Sequence, residues 1–265
     1  MPDVQGSRDR RNLAIDKVGV RDIRYPITLA TRGEGPPQST VAHVNMYVSL
    51  PHHQKGTHMS RFLEVLNEHH LSIRSDDIKA VTRDMRERLE AEEAHLELSF
   101  PYFIDKAAPV TGQPGKLDIE VSFAATSGAS ASADDFVLGV KVPAASLCPC
   151  SKEISDYGAH NQRCEMEVKV RLADGPQLWI EDLFEIVEAC ASSPVFAVLK
   201  RPDEKWVTER AYDHPKFVED IVRDLALALD DEDRVIWYSV ESTNYESIHN
   251  HNAYALIERD KRDGA

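Results

Sequence analysis

Two thiols, an imidazole, a lysine and a guanidinium fall within residues 148–163, where Cys148-Pro149-Cys150-Ser151-Lys152 is followed by His160 and Arg163. Thiolate and imidazole together form the ligand set of zinc and neighbouring divalent metals. Two further segments hold groups of the same kind: Glu246 to Asn252, with His249 and His251, and Lys200 to Lys205, with Glu204. Two ligand readings follow. Cys148, Cys150, His249 and His251 would close a tetrahedral structural zinc site, but both pairs are two residues apart, tighter than the usual spacing of such sites. Cys148, His160, Glu204 and one C-terminal histidine would instead leave a position open to water, as chemistry requires.

Other residues of these types read as ordinary structure. Cys164 and Cys190 fit small buried hydrophobes of an apolar layer. His43, His69, His70, His95 and His214 are scattered and fit surface or capping positions, Glu92 and Glu93 a solvated helix face, and the pair His52-His53 a proline-flanked turn of either use.

The elements that must position these groups are legible from periodicity. Val44, Met46, Val48 and Leu50 alternate with polar neighbours, as do Leu96, Leu98 and Phe100, then Leu117, Ile119, Val121 and Phe123, the period of half-buried strands. Between them lie two helices: Met59 to His69 with Phe62, Leu63 and Leu66 on one face, and a second with Ser75 as N-cap and Ile78, Val81, Met85 and Leu89 at helical spacing. Ala124 to Asp135 is small, polar and Gly/Ser-rich, a loop between the halves or a long hairpin connection. The order then recurs: an apolar run Phe136 to Val142, a strand Met166 to Leu172, helices over Ile180 to Cys190 and from Pro215, and strands Arg234 to Glu241 and Ala253 to Glu258. The reading is two copies of one α+β unit with antiparallel sheets, with a mobile charged tail over residues 1–19 and units over 20–126 and 127–265.

The chain has 265 residues, enough for a proper core without disulfide staples, and its four cysteines are too few for a disulfide scaffold. With 31 basic against 45 acidic residues the net charge is −14, which argues against general affinity for DNA, RNA or anionic membranes. An anionic ligand would need its basic partners gathered locally. The first residues mix charges and lack the apolar stretch of a signal peptide, and no apolar run nears the roughly 18 residues of a membrane helix. The expected location is cytoplasmic.

The strings Cys148 to Arg163, Lys55 to Phe62 and Glu246 to Tyr254, with Arg201 to Glu204 and Lys216 to Asp220, resemble the prokaryotic type IB GTP cyclohydrolases over about residues 20–258. The resemblance implies tandem tunnelling-fold (T-fold) units, each an antiparallel four-stranded sheet with two helices on one face, assembling into barrels. It implies a homotetramer with active sites at subunit interfaces. The implied reaction takes GTP and water to 7,8-dihydroneopterin triphosphate and formate, the first step of tetrahydrofolate biosynthesis. Carried onto this chain, Cys148, His160 and Glu204 become metal ligands for Mn²⁺ or Zn²⁺, with Fe²⁺ admitted by the carboxylate and His249 a further ligand or close neighbour. Glu219 anchors the guanine edge, Glu246 and His251 line the site with Cys148, and His251 shuttles protons. Lys152 and Arg163, with Lys200 or Arg201, are the expected triphosphate contacts.

Three rivals are separable. A nitrile reductase on the same fold would use NADPH and a lone nucleophilic cysteine beside an aspartate. An archaeal-type, iron-dependent cyclohydrolase would yield a cyclic phosphate product. A non-enzymatic protein with a structural zinc on Cys148, Cys150, His249 and His251 would unfold on chelation.

Overall fold

The computed structural model describes residues 4–33, 35–69, 72–73, 75–130 and 133–264. His70 lies outside them, as do the side chain of Ser75 and residues 131 and 132 of the Gly/Ser-rich segment. No described helix is long and apolar enough to cross a membrane.

Ten strands follow in chain order: β1 (Ile15–Leu29), β2 (Gln38–Leu50), β3 (Ser72–Ile73), β4 (Ala94–Ala107), β5 (Pro114–Ser127), β6 (Asp135–Leu147), β7 (Asn161–Leu172), β8 (Ser193–Pro194), β9 (Val235–Asn244) and β10 (Ala253–Asp260). Six helices interrupt them: α1 (Met59–Glu68), α2 (Ser75–Arg88), α3 (Pro149–Ile154), α4 (Ile180–Ala189), α5 (Arg201–Asp213) and α6 (Val218–Asp230). The strands form one ten-stranded sheet in the order β10-β9-β7-β6-β5-β4-β2-β1-β3, with β8 paired to β6. Pairing is antiparallel for β1 with β2, β2 with β4, β7 with β9 and β9 with β10, while the short β3 runs parallel to β1.

This corrects the expected fold class. In place of tandem tunnelling-fold units, each with its own four-stranded sheet and two helices, the strands run through one sheet, and the second half carries four helices. The cause lies in the Gly/Ser-rich segment. β5 continues through Ala124 to Ser127 and β6 starts at Asp135, so the connection is short enough to make the two strands neighbours. Paired in this way, neither strand leaves a row of open N–H and C=O groups that would end a sheet.

Two compact units are distinguished, residues 1–101 with 122–138 and residues 102–121 with 139–265. In the first, alternation buries Ala42, Val44, Met46 and Val48 of β2 and Leu96, Leu98 and Phe100 of β4. Gly19 makes the β1–β2 approach possible, since a Cβ there would stand 1.9 Å from the Met46 carbonyl oxygen. Helix α1 buries Phe62, Val65 and Leu66, not Leu63, which is exposed. One helical step of about 100° turns residue 63 off the stripe that 62, 65 and 66 share. β1 begins at Ile15, inside the stretch expected as a mobile tail.

In the second unit α4 buries Ile180, Leu183, Phe184 and Val187, and α6 buries Val218, Ile221, Val222, Leu225 and Leu229, lying against α4, β9 and β10. Each of α4, α5 and α6 opens the same way. An aspartate at its third position accepts the N–H of the residue before the helix: Asp182 from Trp179, Asp203 from Lys200, Asp220 from Phe217. The carboxylates satisfy donors that a helix start leaves unpaired.

Candidate functional site

The apolar strand β6 ends at Leu147, and the next residue, Cys148, is the N-cap of α3 with Pro149 as its first helical residue. Its Sγ accepts from Ser151 N–H at 3.4 Å, while Ser151 Oγ donates to the Cys148 carbonyl at 3.1 Å. The same Ser151 hydroxyl oxygen accepts from His160 N–H, and Cys148 N–H donates to the His160 carbonyl. Three residues therefore form one backbone knot, with the Cys148 and His160 side chains carried by a single loop.

The His160 ring is oriented by β7. Its Nδ1 lies 3.0 Å from Gln162 Oε1, and Gln162 Nε2 in turn reaches Ser146 Oγ at 3.5 Å. Ser146 Oγ also accepts from Asn244 Nδ2 and donates to the Lys216 carbonyl, both at 3.1 Å. With the hydroxyl proton committed to Lys216, Ser146 is an acceptor toward Gln162, which fixes the amide so that its oxygen faces the imidazole. Nδ1 then carries the proton and Nε2 presents its lone pair, the tautomer that suits a metal ligand.

The loop between β9 and β10 reaches the same place. Tyr245 N–H donates to the Arg163 carbonyl, and Ser247 Oγ lies 3.4 Å from His160 Nδ1. Glu246 is half-buried there, and the exposed rings of His249 and His251 stack with centroids 5.1 Å apart. Glu219 is exposed on the first turn of α6, and the residues leading into that helix are tied to the end of β6, beside Cys148, by Lys216 N–H donating to the Leu147 carbonyl. Glu204 is exposed on the first turn of α5. Among the described residues no three His, Cys, Asp or Glu side chains gather as a metal-binding group. One chain thus brings Cys148 beside His160 but assembles neither of the expected four-ligand sets, and the exposed Cys150 joins no such group. The donor chemistry of the Cys148–His160 loop nevertheless fits a divalent metal, with sulfur and an unprotonated imidazole nitrogen on one turn.

The expected phosphate contacts fare differently. Lys152 Nζ donates to the Tyr212 carbonyl at the end of α5 and sits 4.1 Å from the Tyr212 ring centre. Arg163 is exposed, as is Arg201, whereas Lys200 serves as the residue before α5. Between the Cys148 loop and α5 lies a cleft of about 780 Å³, and its charged lining is acidic: Asp156, Glu209 and Asp213.

Several residues that hold the site have no obvious motif. Asp203, fully buried, accepts from Val110 N–H, Thr111 N–H, Thr111 Oγ1 and Lys200 N–H, which holds its carboxyl down at about 2. Burial pushes the Cys164 thiol up to about 12 and that of Cys190 up to about 11, so both are protonated and inert at neutral pH. Ser146, Gln162 and Asn244 did leave a signal. Each occupies the buried parity of its strand, in line with Val142, Val168 and Val240, where a polar side chain demands a partner.

Residues 1–255 match the family described as type I GTP cyclohydrolase FolE2. The chain is 55% identical over 263 residues to a protein of Geotalea uraniireducens named GTP cyclohydrolase FolE2, covering 99% of this chain and 95% of that one. A protein of the same name in Geobacter sulfurreducens is 55% identical over 262 residues, covering 99% of both. Among solved structures, a uricase from Bacillus fastidious superposes with a TM-score of 0.58 at 8% identity, covering 94% of each chain. A mutant urate oxidase from Bacillus sp. TB-90 gives 0.57 at 8% identity, covering 93% of this chain and 100% of the other. The likeness to these two is one of fold, and it agrees with a uricase-like sheet in place of the expected tandem units.

Proposed function

The chain belongs to the FolE2 family of type I GTP cyclohydrolases, and on that premise we propose how its residues carry the reaction of GTP and water to 7,8-dihydroneopterin triphosphate and formate at the entry to tetrahydrofolate biosynthesis. Cys148 and His160 would hold a divalent metal, Mn²⁺ or Zn²⁺ or else Fe²⁺, with Glu204 and His249 as further ligands. A bound divalent metal supplies Lewis acidity and brings the pKa of coordinated water to about 7.

The chain's own groups do the rest. Glu219 accepts two N–H bonds from the guanine ring nitrogen and exocyclic amine, a match a carboxylate makes well. His251, exposed and stacked on His249, moves protons during opening of the imidazole ring and release of formate. Glu246, half-buried beside it, lines the same space.

The observation that carries this reading is the knot of Cys148, Ser151 and His160, with Gln162 setting the imidazole tautomer. Separation of the ligands within one chain supports a site completed where subunits of a homotetramer meet. Tyr157, Ile248, Tyr254 and Leu256, all exposed, supply apolar surface of the kind that association covers. A cytoplasmic location suits the substrate.

The test is turnover of GTP to a fluorescent pterin by metal-stripped protein, with and without added Mn²⁺ or Zn²⁺. Cys148→Ala abolishes it and Cys190→Ala largely preserves it. Equal loss from both, or no pterin with any metal, would overturn the reading.

A further inference from the structure

Helix α5, which carries Glu204, has little apolar hold on the molecule. It buries only Asp203 and Ala211, and its half-buried Trp206 meets Phe196 edge-on with ring centres 6.4 Å apart. Burying a carboxylate is costly unless its oxygens are hydrogen-bonded. The aspartates at the same position of α4 and α6 each meet an arginine, Asp182 with Arg234 and Asp220 with Arg223. Asp203 forms no ion pair among the described residues, and neutral N–H and O–H donors satisfy it instead.

Three of those four donors come from the turn between β4 and β5. Val110 N–H and Thr111 N–H both reach Oδ1 at 2.9 Å, while Oδ2 accepts from Thr111 Oγ1 at 2.7 Å and from Lys200 N–H at 2.9 Å. The turn is shaped for this. Gly112, at a φ of +69°, donates its N–H to the Ala108 carbonyl, and Ala108 N–H donates to the Gln113 carbonyl. These residues lie in the same compact unit as Cys148, His160 and Glu204.

The anchor fixes how α5 is rolled about its axis. Asp203 is turned fully inward, and the next residue leaves the helix about 100° further round, so that Glu204 is exposed. Glu204 N–H donates to the Lys200 carbonyl, and Thr208 Oγ1 donates to the Glu204 carbonyl. The Glu204 side chain can turn about its own torsions, but the point and direction from which it starts are set by its neighbour and by a threonine on another element.

We infer that Asp203 and Thr111 are positioning residues for Glu204, setting the direction in which α5 presents that carboxylate to a divalent metal, an inference that rests on reading Glu204 as a metal ligand. It brings into the site a hairpin turn that carries no metal-ligand motif of its own.

The experiment is equilibrium dialysis of metal-stripped, full-length protein against Zn²⁺, counting the binding that Cys148→Ala removes, with a thermal melt of each variant. Thr111→Val keeps the bulk of the side chain and removes one hydrogen bond to Oδ2. It is expected to weaken zinc binding about fivefold, a fraction of the full value of a hydrogen bond to a carboxylate, and Thr111→Ser to restore it. Ala211→Gly loosens the far end of the same helix without touching Asp203, so it should lower the melting temperature and leave zinc affinity at the parent value. In a Glu204→Gln background, where zinc is already held more weakly, adding Thr111→Val should change nothing further. Zinc weakened alike by Thr111→Val and Ala211→Gly, or weakened by Thr111→Val as much with Glu204→Gln as without it, makes the contact a structural one and overturns the inference. Affinity unchanged in Thr111→Val but reduced in Glu204→Gln overturns the inference and leaves the ligand reading standing. Affinity unchanged in Glu204→Gln overturns the ligand reading and the inference with it.

Discussion

Gln162 Oε1 stands 3.0 Å from His160 Nδ1, and the amide is held in that sense by Ser146 Oγ behind it. Removing the carboxamide frees the imidazole to take either tautomer and to rotate. Gln162→Leu is expected to weaken metal affinity and lower turnover by roughly 10- to 100-fold, the usual cost of losing such a partner. Equilibrium dialysis against Zn²⁺ reads the first effect and pterin fluorescence the second. Gln162→Glu, which keeps an acceptor at the same place, should recover part of both.

Asp203 gives the fold an acid-sensitive clamp. Its carboxyl is held at about 2, and desolvation opposes a shift that four hydrogen bonds produce. A depressed folded pKa contributes stability that is present above the unfolded value of about 3.9 and is lost as pH falls through the folded value of about 2. Thermal melts of the parent chain should therefore fall between pH 4 and pH 2. Asp203→Asn should melt several degrees lower at neutral pH and show a flatter decline over that interval.

The four cysteines should separate by reactivity. At pH 8 a thiol held at about 12, as Cys164 is, has on the order of one in ten thousand molecules as thiolate. Brief iodoacetamide treatment of native protein, followed by peptide mass spectrometry, is expected to label the exposed Cys150 first and to leave Cys164 and Cys190 unmodified. Both become reactive in denaturant. Labelling of Cys164 in the native state would contradict its placement.

Lys106 and Glu188 are a half-buried ion pair, with Lys106 also donating to the Val195 carbonyl and lying 4.0 Å from the centre of the Phe196 ring. Burial lowers the Lys106 pKa and raises that of Glu188, each shift resisted by the partner. Lys106→Met alone leaves a partly desolvated carboxyl without its counter-ion and should cost about 1–2 kcal/mol in urea unfolding. The double variant with Glu188→Leu should return most of it, since two apolar groups need no partner.

How much of this was legible beforehand depends on whether the physics was periodic. The strands of β2, β4 and β5 and helices α2, α4 and α6 declared themselves through alternation or an apolar stripe. Helix α5 did not. It buries only Asp203 and Ala211, so no stripe marks it, and residues 200–205 look like a charged turn. The joining of both halves into one sheet was left open, because the small polar segment reads equally as a loop between halves or a long hairpin connection, and composition does not show that β5 runs on to Ser127. The site motifs were plain in residue type, yet neither spacing nor type revealed that one chain leaves Glu204 and His249 out of any metal-binding group with Cys148 and His160. The fate of Lys152 was invisible for a similar reason, since its partner is a main-chain carbonyl 60 residues away.

Ser146 has one proton and two lone pairs, and the structure spends all three, on the Lys216 carbonyl, Asn244 and Gln162. Three adjacent strands and the approach to α6 therefore meet at a single oxygen atom. Replacing Ser146 leaves both amides without their acceptor, and replacing either amide leaves a Ser146 lone pair without its donor, so positions 146, 162 and 244 form an epistatic set centred on Ser146. In a combinatorial library screened for folded, active protein, tolerated changes at these positions should arise jointly, and single changes should be far rarer than at equally buried apolar positions nearby.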